Sequence, residues 1–147
     1  ISELRRVAHN MMPESLLRFG LEISLRDICR DITGSGALTV NFQAIGLRNL
    51  EADQQTQIII YRLVQELLNN ILKHAVAANA IVQLTFLDGK LAITVEDDGK
   101  GFDLKILESS NGIGFSNLKS RVDYLGGKMD IESEPGRGTT VNIEINQ

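Results

Sequence analysis

The sequence predicts a two-layer α/β sandwich, with a mixed, mostly antiparallel sheet carrying helices on one face. Three observations point to it. Segments of helical and strand period follow one another as helix, strand, helix, hairpin, helix, hairpin. An Asp88-Gly89 turn joins two alternating apolar runs, a strong hairpin signal. And the chain, 147 residues with 43% hydrophobic side chains, is the size of one domain with an ordinary core.

Each element has a local reason. Ile1, Leu4, Ala8 and Met11 stand at three-four spacing, a short coiled-coil-like seam over residues 1–12. Pro13 ends or kinks that helix, since it lacks an N–H and disfavours helix at Met12. Leu21, Leu25, Ile28 and Ile32 mark one face of a second helix, closed by Thr33-Gly34-Ser35-Gly36. Residues 37–45 alternate as a strand. A long helix runs from about Ala52 to Ala75, with Ile60, Val64, Leu67, Leu68 and Ile71 as its apolar stripe. Val82, Leu84 and Phe86 face one way on the outgoing arm of the hairpin, and Leu91, Ile93 and Val95 return. A Gly-, Asp- and Ser-rich loop spans Asp97 to about Gly112. A helix follows from about Phe115 to Leu125, closed by Gly126-Gly127. Two last strands, about 128–133 and 139–146, flank Glu134-Pro135-Gly136-Arg137-Gly138.

The bulk properties exclude several classes. A formal net charge of −4 gives no electrostatic reason to bind nucleic acid or an anionic membrane. No apolar run reaches the roughly 18 residues that span a bilayer. The single cysteine, Cys29, makes no intrachain disulfide and reads as a small buried hydrophobe in a reducing compartment. The chain starts in helical period without an initiator methionine, so a fragment of a longer protein is expected.

Three clusters carry chemistry. On the long helix, Glu66, Asn70 and Lys73 fall within an arc of roughly 60° at helical spacing, opposite the apolar stripe. An amide oxygen suits a hard cation such as Mg²⁺, and an ammonium suits phosphate oxygens. A carboxylate can orient or deprotonate a nucleophile. The alternative is a solvated face with an i, i+4 pair. In VEDDGKGFD, residues 95–103, a strand ends in two carboxylates before Gly99 and Gly101. A carboxylate beside bare backbone can accept a hydrogen bond from the exocyclic amine of a base, and an acidic surface turn or a weak metal loop is the alternative. In NGIGFSNLKSRV, residues 111–122, Gly112 and Gly114 run into a helix start, offering N–H groups and the positive dipole end to an anion. An ordinary glycine-rich helix start reads the same way.

Their order is more specific than any one of them. Glu66-x-x-x-Asn70-x-x-Lys73-His74, Asp97-x-Gly99-x-Gly101, Gly112-x-Gly114 and Gly136-x-Gly138-Thr139 resemble the successive boxes of one ATPase superfamily. That superfamily contains histidine kinases, DNA gyrase, the large heat-shock chaperone and a mismatch-repair ATPase. The resemblance covers roughly residues 20–147. It is closest to the ATP-binding catalytic domain of two-component sensor histidine kinases, and among these to the nitrate-sensor-like subfamily. Residues 65–75, QELLNNILKHA, and 112–127, GIGFSNLKSRVDYLGG, carry that finer likeness.

The resemblance implies a Bergerat-type fold and site roles. Asp97, helped by Thr139, would hydrogen-bond the adenine amine. Asn70 would ligate Mg²⁺ between the phosphates, and Glu66 would assist the transfer geometry. Lys73 and His74 would lie near the phosphates, while Gly99, Gly101, Gly112 and Gly114 would shape a short lid and its phosphate-binding turn. ATP and Mg²⁺ are the implied cofactors. The γ-phosphoryl would pass to a histidine on an upstream stem helix and then to a response-regulator aspartate, in a parent that is a homodimer. The domain would face the cytoplasm, with the parent anchored in the inner membrane or free.

Leu4 to Leu16, followed by Gly20-Leu21, fit the family's second stem helix rather than its acceptor helix, because Asn10 follows His9 where the acceptor pattern has Asp. His9 is thus expected to be a stem residue. The expected organisation is 1–18 as the end of the second stem helix and 19–147 as the ATP-binding domain. An anti-sigma-factor-type serine kinase shares the boxes but lacks such a stem. A degenerate partner-binding domain would not need every box filled.

Overall fold

Alternation along the strands sorts their side chains onto the two faces of one sheet in the computed structural model, which describes residues 14–105 and 115–146. The strands are β1 (Thr39–Ile45), β2 (Asn79–Leu87), β3 (Lys90–Asp97), β4 (Lys128–Ser133) and β5 (Thr139–Asn146), in the spatial order β1-β2-β3-β5-β4. β1 and β2 run parallel, because a helical segment separates them and carries the chain back. The remaining pairs are antiparallel. The expected mixed, mostly antiparallel sheet is what forms.

The helices are α1 (Glu14–Phe19), α2 (Leu21–Ser35), α3 (Gln54–Asn70) and α4 (Phe115–Tyr124). α2 buries Leu21, Leu25 and Ile28 and ends at Gly36, which takes the left-handed conformation at φ 82° that glycine adopts without strain. α3 starts at Asp53, whose Oδ1 accepts the Thr56 N–H at 2.8 Å. It buries Ile60, Leu63, Val64, Leu67 and Leu68, the stripe read from the sequence with Leu63 added.

One face of the sheet receives these helices. Ala80, Val82 and Leu84 of β2, Leu91, Ile93 and Val95 of β3, and Val141, Ile143 and Ile145 of β5 are all buried. Register aligns them: Val82 opposes Val95, which opposes Val141, and Leu84 opposes Ile93, which opposes Ile143. Each such side chain removed from water contributes about 1.5–3 kcal/mol. On the other face Lys90, Glu96 and Glu144 stay exposed. Cys29 is buried in α2, where burial pushes its thiol up to about 12, so it is an inert apolar filler.

Two expectations change. The long helix does not stay α-helical to Ala75; after Asn70 it widens into a π turn, Ile71–Ala75. The helix over residues 1–12, Pro13 and His9 lie outside the described residues, as do Gly112 and Gly114 of the lid. Among the described residues no helix is long and apolar enough to cross a membrane.

Candidate functional site

β3 ends in a carboxylate on the buried side. The inward series Leu91, Ile93, Val95 continues to Asp97, which is 7% exposed and opposes Ala80 on one side and Thr139 on the other. A carboxylate at an apolar alternation position is a local inconsistency of the kind that marks sites. Its Oδ1 accepts the Gly99 N–H at 2.8 Å. Burial pushes the carboxyl above its ordinary value; the Gly99 N–H pulls it down, and the neighbouring Asp98 charge pushes it up again.

Asp98 turns the other way. Its Oδ1 accepts the N–H groups of Ala78 and Asn79, both at 2.9 Å, and its Oδ2 accepts the Asn79 side-chain amide at 2.9 Å. Hydrogen bonds from Asn79 hold this carboxyl below its ordinary value. The second carboxylate therefore fastens the turn to the start of β2.

The turn itself is pressed against neighbouring backbone. A Cβ on Gly99 would collide with the Ala75 carbonyl, which accepts the Lys100 N–H at 2.7 Å. Gly101 adopts φ +62°, and a Cβ there would collide with the Glu134 carbonyl of the β4–β5 loop. Gly136 N–H donates to the Lys100 carbonyl at 2.6 Å, closing the two loops on each other. Ser133 joins them: its Oγ accepts the Phe102 N–H at 2.9 Å and lies 2.8 Å from the Thr139 hydroxyl.

The opposite wall is the end of α3 and its π turn. An i→i+5 turn rotates each residue through less than the α-helical ~100°. By His74 the accumulated lag returns the side chain to the arc of Asn70, while Lys73 swings away. His74 accordingly lines the cavity with Asn70, Ile71 and Ala75, and Lys73 is exposed and does not. The common arc read for Glu66, Asn70 and Lys73 is thus not kept. Glu66 does not line the cavity either; its carboxylate pairs with the Arg121 guanidinium of α4.

These walls enclose a cavity of about 240 Å³. Leu67, Ile71, Val95, Phe102, Phe115 and Val141 make it largely apolar, and Asp97, Thr139, Asn70, His74 and Lys100 supply the polar groups. The Phe102 and Phe115 rings meet at 5.8 Å between centroids. An apolar slot with one buried carboxylate suits a flat ring that offers an N–H donor. Of the residues read from the sequence, the structure brings together Asn70, His74, Asp97, Gly101 and Thr139, with Gly99 directly beneath. Glu66 and Lys73 stand outside, and Gly112 and Gly114 lie beyond the described residues. Lys100, Phe102, Phe115 and Ser133 were not singled out in the sequence. Their only signal is position: each sits inside or next to a glycine motif.

Asn70 bears on the metal. Among the described residues no three His, Cys, Asp or Glu side chains gather into a metal cluster. A full protein cage is therefore not offered there. Mg²⁺ needs none, since it keeps several waters and takes substrate phosphate oxygens with only one or two protein ligands. The Asn70 amide at the cavity fits that requirement.

Residues 55–147 match the model of the family described as histidine kinase-, DNA gyrase B-, and HSP90-like ATPases. The sensor histidine kinase ComP of Bacillus subtilis is 32% identical over 146 residues, 99% of this chain and 19% of that protein. The histidine-protein kinase/phosphatase DegS of Brevibacillus brevis is 30% identical over 145 residues, 99% of this chain and 37% of that one. This chain thus spans well under half the length of these relatives. The solved histidine kinase domain of the Erythrobacter litoralis EL346 blue-light activated kinase superposes with a TM-score of 0.69 at 32% identity, over 86% of this chain and 60% of that one. Acinetobacter baumannii AdeS, at 13% identity and a TM-score of 0.62 over 84% of this chain and 61% of that one, shares the fold. The buried Asp97 over its glycine turn, the Asn70 wall and the family match over 55–147 converge: this chain belongs to the histidine kinase-, DNA gyrase B- and HSP90-like ATPase family.

Proposed function

We propose that this chain is the ATP-binding kinase domain of a two-component sensor histidine kinase of the nitrate-sensor-like kind. It would occupy residues 19–147, with 1–18 as the end of the stem's second helix. The observation that carries the reading is Asp97, a buried carboxylate at a strand end, facing an apolar slot beside Thr139 with Asn70 on the opposite wall.

Each group has one task. Asp97 accepts the adenine N–H, and Thr139, fixed by Ser133, stands beside it. The apolar walls take the ring faces and exclude water. Asn70 would hold Mg²⁺, which would supply charge neutralisation at the phosphates. His74 and Lys100, which line the slot, would meet the sugar and phosphates, and Gly99, Gly101, Gly112 and Gly114 would shape the lid and its phosphate-binding turn. Lys73 contributes positive charge from outside the cavity, and Glu66 orients the acceptor. In the transfer, a neutral imidazole nitrogen of the stem histidine attacks the γ-phosphorus with its lone pair. A P–N bond forms, and the bond to the β,γ-bridging oxygen breaks with its electrons going to ADP. The imidazolium then loses its remaining N–H proton to water. A response-regulator aspartate takes the phosphoryl group next. The domain works in the cytoplasm, where ATP is, within a homodimeric parent.

The test is thermal melting with and without Mg-ATP or Mg-ADP, repeated on Asp97→Asn. Ligand at 100 times its dissociation constant stabilises by about 2.7 kcal/mol. A shift that vanishes in the variant is the expected result, and no shift at millimolar nucleotide sinks the reading. Acid-labile phosphate on histidine is expected in the intact kinase; acid-stable phosphate on serine would favour the anti-sigma-factor type.

A further inference from the structure

The ion pair between Glu66 and Arg121 joins two elements that border the cavity from different sides. Glu66 lies one helical turn before Asn70 on α3. Arg121 lies on α4, less than two turns after Phe115, the residue that lines the cavity and meets Phe102. The two helices pack together, with Leu118 and Val122 of α4 buried and Leu63 and Leu67 of α3 buried. The apolar contacts hold the two helices against each other, and the ion pair links their polar side chains. Arg18–Glu14, Arg26–Glu22 and Arg137–Glu134 are local pairs, and Lys90–Glu144 joins two adjacent strands; none of these four residue pairs borders the cavity.

Arg121 and Glu66 are 34% and 30% exposed, so solvent screens them and the pair adds little to stability. Its effect is orientational. A glutamate on a helix surface samples several rotamers, and a guanidinium, planar and always charged, selects one of them. The carboxylate it selects is the one that borders Asn70 and that the proposed function gives to the acceptor.

We propose that Arg121 is a positioning residue for phosphoryl transfer: its guanidinium holds the Glu66 carboxylate in one rotamer on the α3 turn next to Asn70. Arg121 makes and breaks no bond itself. It rests on the functional reading above, and it adds a residue outside the nucleotide cavity to the machinery.

The experiment uses the full-length kinase, stem included, and follows initial rates of acid-labile phosphohistidine formation against ATP concentration. Arg121→Ala is expected to lower the rate at saturating ATP on the order of tenfold to a hundredfold, the scale of a misplaced catalytic group. The KM for ATP stays where it is. Arg121→Lys recovers part of the rate, and its retained charge guards against a variant that merely fails to fold. The decisive comparison is Arg121→Ala made in a Glu66→Gln background, where no further loss is expected. An unchanged rate, a loss confined to KM, or an equal additional loss in the Glu66→Gln background would each overturn the inference while leaving nucleotide binding, and the functional reading, intact. A wild-type protein that forms no phosphohistidine overturns both.

Discussion

Asp97 and Asp98 are adjacent in the chain and opposite in environment. Asp97 closes the buried face of β3, and burial pushes its carboxyl up. Asp98 is exposed, accepts three hydrogen bonds from Ala78 and Asn79, and is held down. The folded chain stabilises the charge of one and penalises the charge of the other. A charge kept where folding disfavours it needs a reason outside folding, and the apolar cavity it faces supplies one. On the proposed function, the first residue serves the ligand and the second the fold.

The sharpest way to break this comparison is to exchange the two roles by mutation. Asp97→Asn should abolish the nucleotide-induced melting shift, a loss of about 2.7 kcal/mol of apparent stabilisation at 100 times the dissociation constant. Asp98→Asn should leave that shift in place. Melting curves of both variants with Mg-ADP decide the matter, and a shift lost in both would merge the two roles.

Next in size is the backbone they share. Gly101→Ala forces a Cβ at φ +62° into the Glu134 carbonyl, so a loss of at least about 2 kcal/mol in a denaturant titration is expected. The loss should come with weaker nucleotide binding, because the β4–β5 loop that seats Thr139 moves with it. A smaller fall in melting temperature is expected for Asp98→Ala, which strips the Asn79 and Ala78 donors of their acceptor while sparing the cavity.

The order of elements along the chain, the two hairpins and the apolar faces are legible because period-two and helical patterns fix which side chains can be buried together; the spatial strand order β1-β2-β3-β5-β4 is not. Asp97 was legible as a carboxylate among bare backbone. The choice of Asp97 over Asp98 comes in the sequence only from the resemblance, because the residues alone do not say which side of a strand end each one leaves. An α-helix continued to Ala75 puts Lys73 on the Asn70 arc. The π turn is invisible to a fixed 100° period, and it exchanges Lys73 for His74 at the cavity. The Arg121–Glu66 pair escaped for a different reason: its partners are 55 residues apart and meet only after α3 and α4 pack. Ser133 reads in the sequence as a plain strand residue, although a hydroxyl before a Gly-x-Gly-Thr loop is placed to satisfy that loop's backbone, as its bond to the Gly138 carbonyl does.

The smallest expected effect is the most diagnostic, since it concerns the ligand-free protein. The folded value of Asp97 lies above the unfolded one, so between the two the native state binds more protons than the unfolded state. Stability therefore falls as pH rises through that window, and at neutral pH the cost is fully present. Asp98 behaves with the opposite sign: its contribution is present above the unfolded value and is lost as pH falls through its depressed folded value. Asp97→Asn keeps an oxygen for the Gly99 N–H and removes the buried charge, so without nucleotide it should melt slightly higher than wild type at pH 7. The advantage should shrink as pH falls through the Asp97 value, where the wild-type carboxyl becomes neutral as well. A variant less stable than wild type at pH 7, or an advantage that does not change with pH, would mean that Asp97 serves the fold after all, and the two carboxylates would no longer be a pair of opposites.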